Sequence, residues 1–405
     1  MIANAETEVL LGHLAERFES SAQEISAAEG GGWGQFLDAP KTHTQVGLYG
    51  TCAGVITLTL AGRGQSPVCQ LAAKRLATWW QARNQVLYTR QRFVQTLRLA
   101  FLCLACRLSE LGGLDAISLE AETSLFARQL QSGGWGDWWL SESSHDSTPR
   151  IFTSSVVIMM LLLFRQSLPP AQAAKLTKAT QLLSRACESP GHLSALELAA
   201  ATAALSIWHS FTLGTRQPPS LSRAAWSAAR EPKHGNYFFF FQYSADAKGQ
   251  SFGRDYLLAP PNLLFAVGGF QRRSRGTLRL AAEDTLGDLV EQLKAEGAYR
   301  VSKHDHVSSL DQVWVAIILT LALTAPSFTS PGMTAKAVYG LRKERDDNWF
   351  TDLAFPLFAG VFFIVANAVP VEDDTRLKIL ISLGTWIAAA LYGDNVVRKF
   401  FRGSH

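Results

Sequence analysis

Side chains capable of acid–base chemistry recur in the loops that follow a Gly-Gly-Trp segment. His43 lies ten residues after Trp33, and His145 lies ten residues after Trp135. Imidazole and carboxylate groups that converge from equivalent loops can hold a metal ion or an anionic ligand. The candidate ligand-binding residues are His43, His145, Asp146, His304, Asp305 and His306. The alternative interpretation is that short loops between helices use His, Asp and Ser as caps, and the spacing leaves both interpretations open.

A run of aromatic residues between Tyr237 and Tyr243 is a second candidate site. Its first members, Tyr237, Phe238 and Phe239, have the size and the apolar surface needed to line a cavity for a lipid. The same run also fits a hydrophobic core or a surface insertion, because large aromatic side chains occur in both.

The motifs of several common enzyme classes are missing. The chain contains no phosphate-binding glycine loop, no Gly-x-Ser-x-Gly elbow and no His-Glu-x-x-His segment. Its five cysteines are odd in number and scattered, which argues against a disulfide framework and favours a reducing compartment. Cys103 and Cys106 have the spacing of metal ligands but no second pair accompanies them. We therefore predict no metal centre and no cofactor.

A repeat places these loops in a common framework. Residues 31–34 (Gly-Gly-Trp-Gly) recur as residues 133–136, an offset of 102, and weaker copies stand at 235–237 and 297–299. A polar loop and then a helix that is apolar on every face follow these copies, and amphipathic segments lie between the units. A helix that is apolar all round must be surrounded by protein or lipid. The pattern predicts an all-α chain of about twelve helices in two concentric layers.

These units resemble the prenyltransferase and squalene-cyclase repeat of terpenoid cyclases and protein prenyltransferases. The second unit carries Leu125, Gln129, Gly133 and Trp135 in the order of the cyclases' glutamine-tryptophan motif. The resemblance implies an α/α toroid over residues 1–330. In that motif the glycines allow a tight turn, the glutamine bonds exposed peptide groups and the indole fills the gap between layers.

The catalytic residues of those enzymes are absent from this chain. A class II cyclase uses an Asp-x-Asp-Asp acid motif, which this sequence lacks. A protein prenyltransferase binds zinc through Asp, Cys and His. Cys52 stands at a matching position, but the preceding Asp is missing, and residues 311–314 (Asp-Gln-Val-Trp) lack the expected His. We therefore predict no catalytic residues.

The C-terminal part is predicted to be a two-helix transmembrane hairpin over residues 351–401, after a linker at 331–350. Residues 353–371 carry no charge over 19 residues, which at about 1.5 Å per residue matches the thickness of a bilayer core. The competing interpretation is that both helices close the toroid. Residues 402–405 resemble a tag remnant. Basic residues flank both ends of the hairpin, which predicts a multi-pass inner-membrane protein whose toroid faces the cytoplasm.

The sequence thus predicts a membrane-tethered, non-catalytic toroid that binds a ligand or protein partner. By analogy with bacterial abortive-infection systems, it would be an effector that perturbs the membrane. The expected partners are the lipid bilayer, an unidentified small-molecule, lipid or protein trigger, and further copies of the chain through the hairpin. A net charge of +4 without a basic block gives no support for nucleic-acid binding. The alternative is an enzyme that modifies a lipid or isoprenoid.

Overall fold

The computed structural model shows a mainly helical protein. The structure describes residues 4–26, 29–38, 46–83, 95–109, 111–136, 148–189, 193–212, 244–245, 251–252, 260–271, 274, 277–300 and 306–324. The predicted linker, hairpin and tag remnant lie outside these residues, and the boundaries at 330, 350 and 401 stay predictions.

The described residues contain eleven helices and two short antiparallel β-hairpins. The helices are α1 (Asn4–Ser21), α2 (Leu48–Leu60), α3 (Pro67–Gln81), α4 (Thr96–Leu108), α5 (Leu114–Ala127), α6 (Ile151–Leu162), α7 (Pro170–Glu188), α8 (Ala195–Phe211), α9 (Pro261–Gly269), α10 (Thr277–Glu296) and α11 (Ser309–Thr324). The strands are β1 (Gln23–Ser26) with β2 (Gly30–Gly32), and β3 (Ser244–Ala245) with β4 (Ser251–Phe252).

Six helices form a closed inner ring. Each of α2, α4, α6, α8, α9 and α11 packs against the next one, and α11 packs against α2. The inner helices are buried almost all round, as the unbroken buried stretch from Thr153 to Leu162 in α6 shows. The remaining helices lie outside them: α1 contacts α2 and α11, α3 contacts α2, α5 contacts α4, α7 contacts α6 and α8, and α10 contacts α9. This arrangement is an α/α toroid, as the alternation of apolar and amphipathic segments predicts.

The outer helices bury one stripe each, and α3 shows how its sequence produces this. Pro67 stands at the start of the helix, and the Ser66 hydroxyl caps it by accepting a hydrogen bond from the Cys69 backbone N–H at 3.3 Å. Leu76 and Trp80, four residues apart, lie on the buried face. Gln70, Lys74 and Thr78, which are also spaced four residues apart, are exposed, so the helix covers the ring on one side only.

The repeated aromatic residues join the two layers. Trp33 and Trp135 are fully buried, and Tyr299 is 7% exposed. The Trp33 indole N–H donates to the Phe18 carbonyl at 2.6 Å, near the end of α1. The Trp135 indole N–H donates to the Leu125 carbonyl at 2.7 Å, near the end of α5. Each indole therefore ties the end of an outer helix to the loop that leads to the next inner helix. Tyr237, the fourth aromatic residue of the repeat, lies outside the described residues.

The glutamine of the second unit performs the role expected from the motif. The Gln129 side-chain amide donates to the Gly133 carbonyl within its own turn and to the Lys175 carbonyl of α7 at 2.9 Å. It thereby satisfies peptide oxygens on two neighbouring segments. The contact is structural and involves no reactive group.

The membrane assignment needs correction. No helix within the described part of the chain combines the length and the hydrophobicity required to cross a bilayer. The multi-pass inner-membrane localisation predicted from the sequence is corrected accordingly: none of the described helices can provide its spans, and the residues on which it rested fall outside those that the structure describes.

The packing of the Trp33 indole against α2 can be tested at two helical glycines. A Cβ added at Gly54 of α2 would clash with the Trp33 ring, whereas one added at Gly12 of α1 would meet no described atom within 4 Å. Gly54→Ala should therefore lower the free energy of unfolding by about 1 to 3 kcal/mol through overpacking. Gly12→Ala should raise it by about 0.5 to 1 kcal/mol because alanine favours the helix. Urea denaturation followed by circular dichroism measures both free energies, and equal effects of the two changes would contradict the tight packing of Trp33 against α2.

Candidate functional site

The inner helices begin at one end of the ring. Within the described chain, an outer helix follows each of α2, α4, α6 and α9 and returns the chain, so α2, α4 and α11 begin at the same end of the ring. We call the first two turns of α2, α4 and α11 the mouth. These helices are neighbours in the ring, because α2 packs against both α4 and α11.

Three aromatic rings form the floor of the mouth. Tyr49 of α2 meets Phe101 of α4 edge to face, with ring centroids 5.7 Å apart. Phe101 in turn meets Trp314 of α11 edge to face at 6.0 Å. Phe101 and Trp314 are 3% and 2% exposed, whereas Tyr49 is half-buried. The three rings thus form a continuous aromatic surface shared by α2, α4 and α11.

A cation and a carboxylate stand beside this floor. Arg98 precedes Phe101 by three residues and Asp311 precedes Trp314 by three, so each lies on the same helix face and one turn nearer the mouth. The Arg98 guanidinium lies over the Tyr49 ring, 5.5 Å from its centroid. Asp311 is only 4% exposed.

The loop before α2 pairs with the segment that leads into α11. The Leu37 N–H donates to the Val307 carbonyl at 2.9 Å, and the Ser309 N–H donates to the Gln35 carbonyl at 2.8 Å. The Asp38 carboxylate accepts the Val307 N–H at 2.9 Å. These bonds hold the first and last described units of the ring together at the mouth.

Asp38 also contacts a guanidinium group and an imidazole ring at the edge of the mouth. Its Oδ2 lies 3.1 Å from Nη2 of Arg300, and its Oδ1 lies 3.3 Å from Nδ1 of His306. The Phe36 ring packs beside the His306 ring, with centroids 5.4 Å apart. Burial lowers the pKa of Arg17, the nearby Asp38 raises it and the nearby Arg300 lowers it, so Arg17 lies close to this ion pair. We call Arg17, Asp38, Arg300 and His306 the rim cluster.

The sequence-predicted site residues fall largely outside the described chain. His306 is described, and it contacts Asp38 rather than another of the predicted ligands. The residues outside the description are His43, His145, Asp146, His304, Asp305, Tyr237, Phe238 and Phe239. Within the part of the chain that the structure describes, no three His, Cys, Asp or Glu residues stand close enough to hold a metal ion.

The mouth residues were missed because nothing in their spacing forms a known motif. Tyr49, Arg98, Phe101, Asp311 and Trp314 come from three helices that are far apart in the sequence. The available signal was positional: each lies in the first two turns of a helix that is otherwise apolar on all sides. A polar or aromatic residue there faces the mouth or its floor.

The five cysteines are all described, buried and free of disulfide bonds. Burial raises the pKa of the Cys69 and Cys187 thiols to about 11. Burial raises the pKa of Cys52, Cys103 and Cys106 as well. A buried thiol that resists ionisation is a poor nucleophile and metal ligand, so these residues belong to the core.

A partly buried charged group lies near the end of α4, away from the mouth. Arg107, near the end of α4, donates from Nη2 to the Met160 and Leu163 carbonyls at 2.8 and 2.9 Å, which caps α6. Burial, and then repulsion from Arg165, lowers the pKa of Arg107 to about 10. Arg165 pairs with the buried Glu122 at 2.8 Å. These contacts stabilise the end of α6.

Solved structures with a similar fold exist, whereas no protein-family profile and no curated protein matches the chain. The α-1,6-mannanase GH76A of Salegentibacter sp. HEL1_6 superposes with a TM-score of 0.52 at 10% identity, covering 78% of this chain and 99% of that one. Inactive variants of that enzyme, with two consecutive aspartates replaced, match over the same shares at 10% identity. The variant in complex with α-1,6-mannotriose has a TM-score of 0.52, and the one with α-1,6-mannotetrose has 0.53. At this identity the likeness shows the fold alone.

These neighbours correct two predictions made from the sequence. The kinship with prenyltransferases and terpenoid cyclases is wrong, since the matching toroids are glycoside hydrolases. The predicted functions, a membrane-perturbing effector and an isoprenoid-modifying enzyme, are wrong for the same reason. The Gly-Gly-Trp units misled because they are a packing device between helix layers, and such a device carries no information about chemistry.

The burial of the thiols leads to a direct test. At pH 8 the native protein should show no reaction of its five cysteines with Ellman's reagent, because the raised pKa values suppress the thiolate and burial blocks access. All five should react in concentrated urea. Rapid reaction of one or more thiols in the native protein would contradict their placement in the core.

Proposed function

We propose that the toroid binds an oligosaccharide at the mouth and hydrolyses a glycosidic bond there. The observation that carries the proposal is the placement of Asp311 and Arg98 one turn above an aromatic floor. The fold supports it, because a toroid of this kind is described in complex with α-1,6-linked mannose oligomers.

The floor suits the shape of a sugar ring. A pyranose presents an apolar face of C–H groups, and an aromatic ring covers such a face while excluding water from it. Tyr49 is the half-exposed member of the floor and is the ring that a sugar can reach. The Arg98 guanidinium, stacked on Tyr49, offers several N–H donors to sugar hydroxyl groups.

Asp311 is the side chain to which we assign proton transfer. In glycoside hydrolysis a carboxylic acid gives a proton to the glycosidic oxygen as the bond from that oxygen to the anomeric carbon breaks. The oxygen of a water molecule then bonds to the anomeric carbon, and the proton that this water loses restores the carboxylic acid. The usual reaction employs a second carboxylate. The consecutive aspartate pairs of this sequence, Asp346–Asp347 and Asp373–Asp374, lie outside the described residues, so the proposal depends on Asp311.

Replacing Asp311 with the isosteric asparagine separates catalysis from binding. Asp311→Asn should reduce kcat by about 10²- to 10⁴-fold, because the amide cannot transfer the proton, and should change saccharide affinity little. The matched control is Asp115→Asn, which removes an exposed carboxylate from the first turn of the outer helix α5. Calorimetry with α-1,6-mannotriose and a panel of other oligosaccharides measures binding, and chromatography of the products measures hydrolysis.

Three outcomes would contradict the proposal. The first is that no saccharide of the panel binds to the full-length protein. The second is that saccharides bind but none is cleaved, which would leave binding without hydrolysis. The third is that Asp311→Asn cleaves at the rate of the unaltered protein.

A further inference from the structure

The rim cluster has more cationic than anionic groups. Asp38 is its carboxylate, and both oxygens of that carboxylate already accept bonds from Arg300, His306 and the Val307 N–H. Arg17, in α1, contributes a second guanidinium to the same cluster. With His306 neutral the four side chains sum to one positive charge, and with His306 protonated they sum to two.

Arg17 lacks the direct ion-pair partner that a half-buried guanidinium normally has. No described residue accepts a hydrogen bond from it or forms an ion pair with it, and its Nε is fully buried. Burial lowers the pKa of Arg17, Asp38 raises it and the nearby Arg300 lowers it again. Removing a cation from water without a hydrogen-bonded partner is unfavourable, so a half-buried arginine without such a partner is unusual. The glutamates near it in α1, Glu16 and Glu19, are bound to Arg63 instead.

Among the described atoms, Arg17 alone lies close to the position of a Cβ at Gly297. A Cβ added at Gly297 would meet Nη1 of Arg17 at 3.9 Å and no other described atom within 4 Å. Gly297 has a φ of +65°, so a side chain at this position would be strained and glycine keeps the approach clear. His306 is 59% exposed and Arg300 is 25% exposed, which means that solvent reaches the cluster.

We propose that Arg17, Arg300 and His306 form a rim site that binds an oxyanion: a carboxylate, sulfate or phosphate group. The planar guanidinium groups match the geometry of such an anion, and the anion supplies the hydrogen-bonded partner that Arg17 lacks. Asp38 positions Arg300 and His306 and does not contact the anion. The group comes either from an acidic saccharide held at the mouth or from a free phosphate ion. Only the first source rests on the proposed function.

Inorganic phosphate tests the site without any saccharide. Calorimetric titration of the full-length protein at constant ionic strength should give saturable binding. Arg17→Gln should weaken it by about 10- to 100-fold, the loss expected for a hydrogen bond to a charged group. The control is Arg185→Gln, which removes an exposed arginine from the outer helix α7 and should leave the affinity unchanged.

The stability of the phosphate-free protein distinguishes a ligand site from a structural role. If Arg17 serves a ligand, Arg17→Gln in phosphate-free buffer should keep or raise the melting temperature, because it removes a cation without a partner. A structural arginine would show the reverse, a clear loss of melting temperature. Absence of phosphate binding in the unaltered protein, or equal affinity in Arg17→Gln, would overturn the site.

A pair of matched saccharides identifies the source of the anion. A phosphorylated or uronate-containing oligosaccharide that binds more tightly than its neutral counterpart, with the difference lost in Arg17→Gln, assigns the anion to the saccharide. Equal affinities of the two saccharides, with phosphate binding intact, assign the site to a free oxyanion. Failure of every saccharide to bind, with phosphate binding intact, contradicts the proposed function and leaves the rim site standing.

Discussion

Closure of the inner ring is the constraint on which the rest of the structure depends. Helix α11 must pack against α2, although nearly the whole toroid separates them in the sequence. The backbone bonds from Leu37 to Val307 and from Ser309 to Gln35 make that junction specific. Bringing such distant segments together has an entropic cost that grows only slowly with the length between them. Apolar burial over six inner helices provides the opposing free energy.

Different residues join the two layers of the toroid in the second and last units, but they use the same hydrogen-bond pattern. In the second unit the Ser154 hydroxyl bonds the backbone of Trp135 from the first turn of α6. In the last unit the Gln312 side-chain amide bonds the N–H and the carbonyl of Tyr299 from the first turn of α11. The second and last units thus share an aromatic residue whose peptide groups are satisfied by the next inner helix. The residue types differ, which explains why the sequence repeat is weak where the structural repeat is intact.

The same closure creates the mouth and the rim cluster. Because α2 lies between α4 and α11, Tyr49, Phe101 and Trp314 come together as a floor, with Arg98 and Asp311 above it. The junction of the two chain segments places Asp38 beside Arg300 and His306. Buried thiols line the core, and a capped helix end closes the far side. Reactive polar groups therefore concentrate at the end of the ring where the inner helices begin.

Sequence alone determined the helical class, the alternation of buried and half-exposed helices, and the role of Trp33, Trp135 and Gln129. These follow from local periodicity and from residue size, which act over a few turns of chain. It did not determine the chemistry: the repeat pointed to prenyltransferases and cyclases, and no motif marked Arg98 or Asp311. The mouth and the rim cluster arise only when helices distant in sequence become neighbours around the ring. Tertiary structure decided both sites, because spacing along a chain cannot report which helix faces meet once the ring has closed.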